Sequence, residues 1–232
     1  SDETVQGFGY GTDSLALTND DFILSLRTKN ERGEILFYEY ASNGRATKVT
    51  NQTTGEQTLY TYNDTALEVT IKTGDSEQGF GYGTDNLPLS EDDFLKWAEF
   101  ISEGKRIRQS FNSQGRIIRV ENLTDQTQTQ YAYFDSQNRY TATGGSFKQT
   151  WDNGADRKPL TDDDFLLLLE SLNEQGDQVT QEFDSKGRPV RITNHTKSTL
   201  TVFAYNDTAK TYTQTSDETV QGFGYGTDSL AL

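Results

Sequence analysis

The chain has no cysteine and no methionine among its 232 residues, and it has one histidine and three prolines. The lack of cysteine excludes disulfides, thiolate metal sites and cysteine nucleophiles. With a single His, His195, there is no histidine-rich metal pattern. His195 falls in a predicted turn, and the equivalent positions of the sister repeats carry Gln52 and Leu123, so it reads as a solvated side chain rather than a general base. Glycine-rich phosphate loops of the P-loop type, Gly-x-Ser-x-Gly elbows and other nucleophile constellations are also missing, and we expect no enzymatic activity. Positive charge is scarce: 21 Lys and Arg against 36 Asp and Glu give a net charge of −15, which argues against nucleic acid and anionic membrane as partners. No apolar run approaches the roughly 20 residues of a membrane span, and residues 1–30 show no basic-then-apolar signal pattern.

What the chain does have is repetition. Residues 1–17 return letter for letter as residues 216–232, a period of 215 residues. A shorter period lies inside it: the acidic segments before Phe22, Phe94 and Phe165 are spaced 72 and 71 residues apart. The expected modules are therefore 1–72, 73–143 and 144–215, with 216–232 opening a fourth. Such tandem identity suggests a window on a longer array. Each module is near the lower size limit for independent stability, so stacking on neighbouring repeats, or on other copies of the protein, supplies the missing burial.

Within a module, Thr18-Asn-Asp-Asp-Phe22, Ser90-Glu-Asp-Asp-Phe94 and Thr161-Asp-Asp-Asp-Phe165 each place a hydroxyl ahead of carboxylates, the pattern of a capped helix N-terminus. Phe94, Trp97, Ala98 and Ile101 follow at i, i+3, i+4 and i+7, as do Phe165, Leu168, Leu169 and Leu172, which predicts a helix with an apolar stripe ending near Gly33, Gly104 and Gly176. The pattern then changes to period two. Ile35 to Tyr40, Ala46 to Thr53, Gln57 to Tyr62 and Leu67 to Thr73 read as strands, with hairpin turns at Asn43-Gly44, Gln114-Gly115 and Lys186-Gly187. The expected fold class is α+β: a tandem array of modules, each a helix followed by a four-stranded antiparallel meander.

The segments Tyr40-Ala-Ser-Asn-Gly-Arg45, Phe111-Asn-Ser-Gln-Gly-Arg116 and Phe183-Asp-Ser-Lys-Gly-Arg188, with Tyr60-Thr-Tyr-Asn-Asp64, Tyr131-Ala-Tyr-Phe-Asp135 and Phe203-Ala-Tyr-Asn-Asp207 downstream, resemble the YD repeat of RHS-type secreted bacterial proteins. The resemblance covers about half of each module and implies secretion, a structural role and a long curled β-sheet that can form a shell. The predicted helix is where this sequence departs from that family.

Two further patterns suggest sites. Gly9-Tyr-Gly-Thr-Asp13-Ser-Leu15 and its copies ending in Asp85 and Asp228 resemble the calcium-binding repeat of RTX proteins, which would make Asp13, Asp85 and Asp228 calcium ligands. In the third module the pattern degrades at Asp156-Arg-Lys158. The competing structural reading makes the segment a leader in which Phe8, Tyr10, Phe80, Tyr82, Trp151, Phe223 and Tyr225 alternate as on a strand and pack against the preceding module, with the aspartates capping a turn. Asn-x-Thr sequons at Asn51, Asn63, Asn122, Asn194 and Asn206 are candidate glycosylation sites, although Asn and Thr also suit hairpin turns. With no cofactor required, the reading is a non-enzymatic extracellular or cell-surface repeat protein, forming a filament or adhesin stalk. A carbohydrate-binding array using exposed Tyr and Trp faces, and a fragment of an RHS-like toxin shell, are the alternatives.

Overall fold

The computed structural model describes residues 4–12, 14–17, 19–216 and 219–225. It is all-β, and the expected α+β class is incorrect. Its nineteen strands are β1 (Val5–Gly9), β2 (Phe22–Lys29), β3 (Ile35–Tyr40), β4 (Ala46–Asn51), β5 (Gln57–Asn63), β6 (Glu68–Thr73), β7 (Ser76–Gly81), β8 (Phe94–Ser102), β9 (Lys105–Phe111), β10 (Ile117–Asn122), β11 (Thr127–Phe134), β12 (Arg139–Thr143), β13 (Phe147–Asp152), β14 (Phe165–Leu172), β15 (Gln178–Phe183), β16 (Pro189–Asn194), β17 (Thr199–Asn206), β18 (Thr211–Ser216) and β19 (Thr219–Gly224). The one helical segment among the described residues is the single 3-10 turn Asp135–Gln137.

The predicted helices are the strands β2, β8 and β14, each beginning at its phenylalanine. Over eight or nine residues a run such as Phe165-Leu-Leu-Leu-Leu satisfies a helical stripe and a continuous strand equally well. The glycines expected to end helices instead sit in hairpin turns. Gly104, at φ +74, follows Glu103 at φ +50, and the pair joins β8 to β9 with Ser102 opposite Lys105. Positive φ at both central residues is the signature of a type I′ turn, whose twist matches the flanking strands. Gly33 and Gly176, both with positive φ, each donate a backbone hydrogen bond to the carbonyl three residues earlier.

The contacts divide the chain into two compact units, residues 1–117 with 121–126, and residues 118–120 with 127–232. In the first, β1 to β9 pair antiparallel in chain order. In the second, β11 to β19 do the same. The registers recur: Gly9 opposes Phe22, Gly81 opposes Phe94 and Asp152 opposes Phe165. Each of the three pairs has an irregularity just before its leader aromatic: Gly7/Phe8, Gly79/Phe80 and Thr150/Trp151.

Few side chains are fully enclosed. Among the described residues the buried apolar set is Val69, Tyr82, Tyr140, Ala142, Val179 and Tyr212. In β3 and β4 every residue is half-buried whichever face it points to. A strand covered on one face alternates between buried and exposed, and these strands do not. The predicted apolar stripes are accordingly not a core: Phe94 is 37% exposed, Ile101 49% and Leu172 53%.

Candidate functional site

The most repeated polar arrangement is built from the Gly-Arg and Tyr-x-Asp segments. In the first unit the turn after β3 delivers Arg45, and the end of β5 delivers Tyr62 and Asp64. Arg45 donates from Nη1 to both carboxylate oxygens of Asp64, at 2.7 and 2.9 Å, and its guanidinium lies 5.0 Å from the centre of the Tyr62 ring. Tyr62 donates its hydroxyl to the Ala46 carbonyl at 2.9 Å. Tyr82, just past β7, donates to Asp64 at 3.1 Å, and its backbone N–H is held by the Leu67 carbonyl at 2.9 Å. A cation is thus sandwiched between an aromatic face and a carboxylate that a second phenol also satisfies. The Arg45 hydrogen bond, followed by that of Tyr82, holds Asp64 below the usual carboxylate range.

The second unit repeats this with Arg188, Tyr205, Asp207 and Tyr225. Arg188 donates to Asp207 at 2.6 Å, sits 4.2 Å from the Tyr205 ring centre and reaches Asp184 at 2.7 Å. Lys186 adds a 2.6 Å bond to Asp207, and Tyr225 donates to Asp207 at 2.8 Å. Lys186 first, then Arg188 and Tyr225, hold Asp207 far below its ordinary value. In the intervening repeat, Arg116 belongs to the first unit and Tyr133 and Asp135 to the second, and the Tyr82 position is taken by the buried Asn153.

The acidic segments form a second repeated structure, the loop between leader strand and following strand. Asp92 accepts from the Thr84 backbone N–H at 2.5 Å and its hydroxyl at 2.7 Å, while Asp93 accepts from Gly83 at 3.0 Å and Leu89 at 2.6 Å. Asp20 and Asp21 hold Gly11, Thr12 and Leu17 in the same way. Asp163 holds Ala155 and Asp156, and Asp164 holds Thr161. The carboxylates do satisfy backbone donors, as an N-cap would, but the donors belong to the loop three to ten residues upstream. Bonds from Thr84 and Ser90 lower the Asp92 pKa to about 2. An added Cβ at Gly83 would overlap the Asp92 carboxylate, so this position requires glycine.

The candidate calcium ligands are placed as follows. Asp85 accepts from the Leu87 N–H at 2.8 Å and the Ser90 hydroxyl at 3.2 Å, closing an Asx turn. Asp13 and Asp228 lie outside the described residues. No group of three or more Asp, Glu, His or Cys among the described residues is arranged to hold a metal ion.

All five sequon asparagines sit at hairpin turns and accept backbone hydrogen bonds through Oδ1: Asn51 from Thr53 and Thr54, Asn63 from Ala66, Asn122 from Thr124 and Asp125, Asn194 from Lys197 and Asn206 from Ala209. The amides of Asn122 and Asn194 also donate to Asp125 and Asp177. Asp177 is buried, and the Lys197 bond, with those of Asn194 and Asn173, takes its pKa down to about 2.

The leader aromatics lie on β1, β7, β13 and β19 or just beyond. Phe80 opposes Val69, Trp151 stacks on Tyr140 with ring centres 6.2 Å apart, and Phe223 stacks on Tyr212 at 4.9 Å. Phe8 and Tyr10 are 56% and 62% exposed. Neither tryptophan is a bare platform. Trp97 is covered by Arg108 at 4.2 Å and donates to Glu68, and a Cβ on Gly79 would collide with its indole. Sequence reasoning missed these bridging contacts, whose signal is glycine on the leader strand opposite an aromatic on the next.

An open depression of about 650 Å³ in the second unit is lined by Thr143, Ser146, Lys148, Glu170, Leu172 and His195, among others. His195 pairs through Nε2 with the Thr180 hydroxyl at 2.7 Å, and Lys148 with Glu170 at 3.0 Å.

No family model matches the chain, and no curated protein matches it. Among solved structures it is similar to a porin-like protein from Bacteroides uniformis, at 12% identity over 87% of this chain and 91% of that one, with a TM-score of 0.23. It is also similar to Hsv2 from Kluyvelomyces marxianus, at 12% identity over 86% and 72% of the two chains, with a TM-score of 0.20. At such scores neither likeness carries an argument about this chain.

Proposed function

We propose that the chain is a non-enzymatic structural tandem-repeat protein of the extracellular space or cell surface, serving as a filament or the stalk of an adhesin. The observation that carries this reading is that the polar groups which look most like chemistry are spent on the sheet itself. Arg188 and Asp207 bond each other and neighbouring tyrosines, as Arg45 and Asp64 do two repeats earlier, and the paired aspartates bond loop backbone in all three repeats. A catalytic site has no need to appear in each copy of an array, whereas a structural clamp does. The strand at Phe22–Lys29 also removes the helix that set the sequence apart from the YD pattern, which supports a secreted structural role. Electron images of the intact protein should show extended particles whose length grows with repeat number. Compact globules of constant diameter would sink the proposal.

A further inference from the structure

Strand β7 shows a leader strand with both edges in use. It pairs with β6 from Thr73 opposite Ser76 to Glu68 opposite Gly81, and with β8 from Glu77 opposite Glu99 to Gly81 opposite Phe94. Because Gly79 and Gly81 carry no side chains, groups on the flanking strands meet across β7: Glu68 accepts from Lys96 at 2.6 Å and from Trp97 at 3.1 Å. Two other leaders use one edge among the described residues. β19 pairs with β18 in the same register as β7 with β6, from Ser216 opposite Thr219 to Thr211 opposite Gly224. β1 pairs with β2 in the register of β7 with β8, Gly9 opposite Phe22. The sequences carrying β1 and β19, residues 1–17 and 216–232, are identical.

We propose that the outer edge of β18 is a strand-acceptor site whose ligand is the leader of a second copy, residues 1–17, in competition with the chain's own β19. This deepens the structural reading by naming how copies would join. In register, the incoming Gly9, Phe8, Gly7, Gln6 and Val5 oppose Thr211, Tyr212, Thr213, Gln214 and Thr215. Phe8 takes the place of Phe223 on the Tyr212 ring, and Tyr10 takes that of Tyr225 at Asp207. Phe8, more exposed than Phe223, and Tyr10, more exposed than Tyr82 and Tyr225, have the most to gain from such a setting. β2 arrives with β1, so the shared leader gains the two-sided setting of β7.

Exchange leaves the number of strand pairs unchanged, since β18·β19 is traded for β18·β1. The tethered β19 also has an effective concentration in the millimolar range, so the intact chain exchanges weakly. Removing β19 leaves an unsatisfied edge, and capture of another copy's leader then adds a strand pair outright.

The test compares the intact chain with one shortened to end at Ser216, using light scattering over a concentration series and a labelled synthetic peptide of residues 1–17. The shortened chain should self-associate on the order of tenfold or more tightly than the intact one, and excess peptide, but not a scrambled one, should return it to monomer. A shortened chain that stays monomeric and binds no peptide overturns the inference. Should the shortened chain fail to fold, the intact chain decides: a photo-crosslinking group at the Phe8 position of the peptide should label Tyr212, and labelling indifferent to sequence overturns it. Absence of exchange would leave the structural role standing, whereas compact particles in electron images would remove that role and leave exchange untouched.

Discussion

Tyr82 and Tyr225 perform the same task in different surroundings. Each donates its hydroxyl to the aspartate of an Arg–Tyr–Asp cluster, and each has its N–H held by the turn before the preceding strand. Tyr82 is only 5% exposed because β7, which it directly follows, is flanked by β6 and β8. Tyr225 follows β19, paired on its β18 side, and is half-buried. The polar network is therefore a property of one repeat, while the burial around it comes from the next strand. The cluster around Arg188 compensates with extra charges, Lys186 and Asp184, that the Arg45 cluster does not use.

The comparison breaks most sharply at the tyrosines. Tyr82→Ala should destabilise the first unit by about 3 kcal/mol, as for a buried aromatic, and Tyr225→Ala should cost clearly less in the same denaturant titration. Equal losses would show that the next strand adds nothing. The glycines offer a second contrast. Gly79→Ala pushes a methyl into the Trp97 indole and should cost about 1 to 3 kcal/mol, whereas the equivalent Gly222 has open space around it, so Gly222→Ala should leave the melting temperature essentially unchanged. For the cations, Arg188→Ala should lower the melting temperature by more than Arg45→Ala, because it removes ion pairs to two carboxylates, Asp184 and Asp207, instead of one.

Acid should act on both units. Asp92 and Asp177 titrate at about 2 in the folded chain, below the value of about 4 expected in the unfolded one. Their stabilisation is complete above about pH 4 and is lost as pH falls toward 2. Asp92→Asn and Asp177→Asn should flatten that acid limb in circular dichroism, and an unchanged limb would assign it to other carboxylates. The smallest effect is expected at the turns: Asn206→Ala removes one exposed Asx bond and should cost less than about 1 kcal/mol.

Much of the meander was legible. Ile35 to Tyr40 matches β3, and Gly44, Gly115 and Gly187 occupy their expected turns with positive φ. The failure at β2, β8 and β14 has a second cause besides their ambiguous apolar runs. Paired aspartates ahead of a phenylalanine offer acceptors for backbone N–H groups, but the sequence does not say whether those groups lie downstream in a helix or upstream in a loop. The Arg45 cluster could be anticipated only as a resemblance in spelling, because the contact joins residues 19 apart across a turn. Glycines facing Trp97 and Asp92 carried a usable signal, a residue without a side chain opposite a bulky or charged one, which becomes visible only once the strand register is known.

The scarcity of fully enclosed apolar side chains has a thermal consequence. Heat-capacity change on unfolding scales with apolar surface newly exposed to water, about 12 to 15 cal/mol/K per residue in ordinary domains. Here most large apolar groups keep part of their surface in water when folded, and Leu17 and Val220 are among those left largely outside. Calorimetry should therefore return a per-residue increment below that range and a stability curve that is broad rather than sharply domed. Such a chain resists cooling better than a protein held by an oily centre, because the hydrophobic driving force that weakens in the cold is a smaller part of what holds it.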